Sequence, residues 1–111
     1  MLTVDNFKLT YEGILLGTII SHSGGLCLVT RATQREFVSA AEFEADMARN
    51  PDVALRHAEV SIAEAHFAAN EAASAARRGD RASVRAALSR CDAQIALSKA
   101  WRALACIEVE P

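Results

Sequence analysis

His57, Glu59, Glu64 and His66 fall within ten residues of one another. Imidazoles and carboxylates are the common ligands of zinc and related ions. On a helix, two ligands converge on one ion only when they stand three or four positions apart. His57 and His66 stand nine apart and project to opposite sides. Glu59 and His66 stand seven apart, two turns or about 10.5 Å along the axis. Neither HExxH nor ExxH occurs. The pattern therefore predicts no intramolecular metal site and reads these side chains as solvated.

The other chemically capable residues are as isolated. Ser21-His22-Ser23-Gly24-Gly25 sets serines beside a histidine. Neighbours in a tight turn are poorly placed to act as nucleophile and base, and no GxSxG elbow surrounds them. The glycine pair reads as hairpin chemistry, because no GxxxxGK[ST] or GxGxxG follows. Cys27, Cys91 and Cys106 form no CxxC. Cys91 and Cys106 lie about 22 Å apart on one predicted helix, too far to bridge within one chain. Reduced thiols in a cytoplasmic protein are the expectation. No enzymatic activity and no cofactor are expected.

The elements that must position these residues follow from the apolar pattern. The chain of 111 residues, 51% apolar and 23% charged, is expected to form one domain. The apolar run Ile14 to Ile20 is too short to span a bilayer, and the opening residues lack the basic start of a secretory signal. Residues 1–38 read as a three-stranded antiparallel β-meander. Phe7, Leu9 and Tyr11 alternate with polar residues, and Glu12-Gly13 marks a turn. Ile14 to Ser21 forms a more fully buried strand, and Leu26 to Thr30 follows the second turn. A fourth strand over Glu36 to Val38 has weaker support.

Residues 39–50 form a short helix: Ser39 and Glu42 have capping-box spacing, and Phe43 and Met47 face the core. Asn50-Pro51 restarts the helix, with Asn capping and Pro at the first helical position. The second helix runs to Arg78 and stops at Gly79. Asp80 caps a third helix to about Cys106, leaving 107–111 as a tail. The fold class is α+β: a β-meander, a short helix and a long antiparallel helical hairpin over 51–106.

Both long helices carry two apolar faces. On the second, Ala54, Leu55, Ala58, Ile62, Ala65, Ala69, Ala72 and Ala76 fall inside one arc, expected to meet the third helix. Val53, Val60 and Phe67 form a ridge on the other side. On the third, Val84, Leu88, Cys91 and Ile95 form one stripe, and Leu97, Trp101 and Leu104 another. Each helix is about 40 Å long, against about 20 Å for a strand of the meander. The sheet cannot cover the whole hairpin. The expectation is a non-enzymatic protein–protein interaction module, self-associating as a homodimer through Val60, Phe67, Leu97, Trp101 and Leu104. No membrane partner is expected.

Charge is asymmetric although the formal net charge is only −2. Eight acidic residues against Arg49 and Arg56 lie between Glu36 and Glu71, whereas Arg77, Arg78, Arg81, Arg85 and Arg90 face Asp80 alone at the hairpin tip. Arg77 and Arg78 suit a helix C-terminus and Asp80 the next N-terminus. The tip of Arg77, Arg78, Arg81 and Arg85 supports an alternative reading as a nucleic-acid accessory surface. A larger basic excess and interleaved aromatics, which that role normally brings, are missing. Ala76-Arg77-Arg78-Gly79-Asp80 with Val84 and Ala87 resembles the inter-helix turn of tetratricopeptide-type hairpins over about a dozen residues. There is no second copy of the repeat. A further alternative rests on class-level analogy: small phage- or mobile-element-encoded inhibitors, such as anti-CRISPR proteins that block host nucleases, share this size and lack an active site.

Overall fold

The structure, a computed structural model, describes residues 2–5, 8–22, 25–29, 34–37 and 39–106. The architecture is the expected α+β arrangement with a larger sheet. Strands β1 (Leu2–Asp5), β2 (Lys8–Tyr11), β3 (Ile14–His22), β4 (Gly25–Val29) and β5 (Gln34–Phe37) form one antiparallel meander in sequential order. Reading three strands missed β1 and gave β5 only weak support, because four-residue edge strands carry too little alternation to register. The expectations for Phe7, Ser23, Gly24, Thr30, Val38 and the 107–111 tail lie outside the described residues.

The β2–β3 turn has positive φ at both central residues, 50° at Glu12 and 80° at Gly13. That twist matches the flanking strands. A shift in register follows at once: Leu9 pairs with Gly17 but Thr10 with Leu15. The extra residue, Leu16, bulges into the core, while Leu15 turns outward. Ile14 to Ser21 is thus not uniformly buried as expected. Leu2, Leu9, Leu16, Ile19 and Leu28 supply the core from the sheet.

Helix α1 (Ala40–Arg49) opens as expected, the Glu42 amide donating to Ser39 Oγ at 3.2 Å. Phe43 and Met47 are buried against the sheet. Asn50 departs from its expected role. Its Nδ2 donates back to the Asp46 carbonyl oxygen at 3.1 Å and to Oδ1 at 3.0 Å, closing α1 rather than capping the next helix. Pro51 still occupies the first turn of α2 (Pro51–Arg77).

At the hairpin tip the Gly79 amide donates to the Ala76 carbonyl and the Asp80 amide to that of Ala75, both at 3.0 Å. These two bonds form a Schellman closure, and Gly79 takes the φ of 74° it requires. Asp80 Oδ1 then accepts the Ser83 amide at 3.1 Å, starting α3 (Arg81–Ala105). The chain measures 54 × 29 × 20 Å; the hairpin supplies the long axis, and its tip half projects beyond the sheet.

Candidate protein-binding surfaces

The buried line on α2 is Ala54, Ala58, Ser61, Ala65, Ala68, Ala72 and Ala75. Its steps alternate four and three, a heptad seam that keeps one face on a partner helix. Near-uniform small side chains let the axes approach closely. This corrects the expected arc by part of a turn. Leu55, Ala69 and Ala76 are exposed, whereas Ser61, Ala68 and Ala75 are buried in their place. The polar Ser61 interrupts an apolar-only reading; taken by size, the seam is legible. Arg90 of α3 closes an ion pair with Glu71 of α2 across the hairpin.

Two of the expected interface residues belong to the core. Trp101 is 1% exposed and Leu104 fully buried, both packed with the sheet and α1. The reason lies at the base of the hairpin, where α1 and the sheet close over the inner side of α3. The imidazole of His57 stacks on Trp101 at 4.0 Å between centroids and 13° between planes, and the Phe43 ring meets it edge-on at 6.3 Å. His57 is therefore buried, not solvated, while His66 is exposed as expected. No group of three or more His, Cys, Asp and Glu side chains suited to a metal stands among the described residues.

Leu97 and Val60 are half-buried, Leu97 against the core. Phe67 is 64% exposed. It overlooks a groove on the sheet side of the arm, made of three adjoining cavities. The first lies between the β2–β3 turn and α3, with Ile14, Leu15, Ala93 and Leu97 in its wall. The second shares Ala93 and Gln94 with it and adds Phe67 and Ala68. The third shares Glu71 and Arg90 with the second and runs to Arg78 and Ser83. Neighbouring side chains on α2 and α3 thus join the turn of the sheet to the hairpin tip.

The opposite broad face carries Leu55, Ala69 and Ala76 of α2 and Leu88 of α3, all exposed, with Ile62 and Ile95 half-buried beside them. Leu55 is 46% and Leu88 47% exposed. Leu55, Ala69 and Ala76 were expected to meet the third helix, because periodicity assigns a residue to a face but does not say which face meets a neighbour.

At the tip Arg77, Arg78, Arg81 and Arg85 are all exposed. Arg78 donates to Ser74 Oγ at 2.9 Å. Hydrogen bonds from the Ser83 hydroxyl and amide, with the Arg78 guanidinium nearby, hold the Asp80 carboxyl below its ordinary value. No described helix is long and apolar enough to cross a membrane. Comparison with family models, curated proteins and solved structures finds no match for this chain.

Proposed function

We propose that this protein is a non-enzymatic protein–protein interaction module whose binding element is the projecting helical hairpin, self-association among its contacts. One observation carries the reading. The two helices meet each other through alanine, which leaves Phe67 on one broad face of the hairpin and Leu55 and Leu88 on the other exposed. Isolated exposed leucines are ordinary. Large apolar side chains exposed on both broad faces of the hairpin support an interaction surface. Aromatic side chains such as Phe67 are enriched at such contacts.

The test compares the full chain with a Phe67→Glu/Leu55→Glu double variant. Mass in solution is measured by light scattering, and capture of proteins from a native extract by immobilised chain. Both substituted residues are exposed, so the variant should keep its helicity. Association by the wild type, lost in the variant, is the expected result. A wild type that stays monomeric and retains nothing, or a variant that associates unchanged, overturns the reading.

A further inference from the structure

We infer that the broad face of the hairpin turned away from the sheet is a self-association face on which a second copy lies antiparallel, the tip of each chain over the base of the other. This rests on the interaction reading above and names its partner and geometry.

The face is separate from the groove. Ile95 and Leu97 project about 200° apart on α3, and Leu97 lines the groove against the sheet. On α2 the outward stripe is Leu55, Ile62, Ala69 and Ala76, at strict seven-residue spacing over about 31 Å. None of the four is fully buried. The stripe is graded: its two large residues lie toward the base and its two small ones toward the tip. A parallel stacking sets large on large. An antiparallel two-fold centred on the stripe sets Leu55 on the partner's Ala76 and Ile62 on the partner's Ala69, a knob against a small residue at each step.

The charges agree with the same register. The Glu71–Arg90 pair fixes the level of α3 against α2. By that level Lys99 lies beside Ile62, and Asp92 beside Ala69. The pairing that brings Ile62 onto the partner's Ala69 therefore brings Lys99 to the partner's Asp92. Asp52, one turn before Leu55, likewise comes within a turn of the partner's Arg77, next to Ala76. Asp52, Arg77, Asp92 and Lys99 are all exposed. None makes a hydrogen bond or ion pair with another described residue. An isologous interface makes each such contact twice, giving four ion pairs. A parallel arrangement instead crowds the Arg77, Arg78, Arg81 and Arg85 clusters together.

The test begins with the mass of the full chain over a concentration series. A dimer is expected, lost in Ala69→Glu and kept in Phe67→Glu, two positions apart that face opposite ways. Arg77→Asp and Asp52→Arg should each weaken it roughly tenfold, and the two combined in one chain should restore it. Connectivity is read by oxidation in a Cys91→Ala/Cys106→Ser background. Leu55→Cys and Ala76→Cys are too far apart to bridge within one chain. Mixed together they should give a 55–76 cross-linked dimer, and neither should cross-link alone. Self-linked Leu55→Cys, a dimer broken only by Phe67→Glu, or a monomer at every concentration overturns the inference. A monomer that still captures a different protein through Phe67 or Leu55 leaves the interaction reading standing.

Discussion

The imidazole of His57 lies flat against the indole of Trp101, 4.0 Å between ring centres and 13° from parallel, with Phe43 closing the third side. This stack ties α2 to α3 and α1 at the point where the hairpin leaves the sheet. It makes Trp101 part of the structural joint.

Trp101→Ala should cost about 3–5 kcal/mol, the usual range for truncating a core aromatic, and Trp101→Glu should leave the chain unfolded. His57→Ala should also destabilise, and His57→Phe, which keeps a flat ring in the slot, should recover most of the loss. Denaturant unfolding checks all four. Trp101 is the one tryptophan of the chain, so its emission reports the joint in the wild type and the His57 variants. A Trp101→Glu chain that stays folded contradicts the core assignment.

The alanine seam predicts a contrast between near neighbours. Ala65 is buried against α3 and Ala63 is exposed. Ala65→Leu should force the helices apart and cost about 1–3 kcal/mol. Ala63→Leu should change stability by no more than about 0.5 kcal/mol. Thermal melts of the two variants side by side decide it.

Ser98 is buried and its hydroxyl has no hydrogen-bond partner among the described residues. An unsatisfied buried donor costs about 1–3 kcal/mol. Ser98→Ala should therefore be neutral or raise the melting temperature, whereas truncations in a packed core normally lower it. A clear loss of stability would mean the hydroxyl is bonded in solution.

The Asp80 carboxyl is held below its ordinary value of 3.8 by Ser83 and, to a lesser degree, Arg78. A depressed folded-state value means that the ionised carboxyl stabilises the fold. Its contribution is present above the ordinary value and disappears as pH falls through the depressed one. Acid titration of the hairpin's helicity should show this loss in the wild type. Asp80→Asn, which keeps a capping side chain but no charge, should flatten that part of the curve.

Much of the local structure was legible because it is written in short-range chemistry. Ser39 accepts the Glu42 amide, Pro51 has no amide proton to leave orphaned, and Gly79-Asp80 closes one helix end and opens the next, all within a few residues. They mark the same boundaries in any tertiary setting. The Glu12-Gly13 turn is local in the same sense. Asn50 shows the limit of such reading: the residue can cap forward or backward, and the position of the Asp46 side chain turned it back.

The sequence by itself determined that this chain makes a β-meander, a short helix and a long hairpin with apolar residues on both sides. That follows from periodicity and capping, which act along the chain. Tertiary structure alone decided which of those faces is surface. The bulge at Leu16 set the parity of β3, and α1 and the sheet closed over Trp101 and Leu104. The small-residue seam from Ala54 to Ala75 rotated α2 so that Leu55, Ala69 and Ala76 face outward. Burial depends on which face the packing brings against a neighbour, and several faces here were apolar enough to receive one.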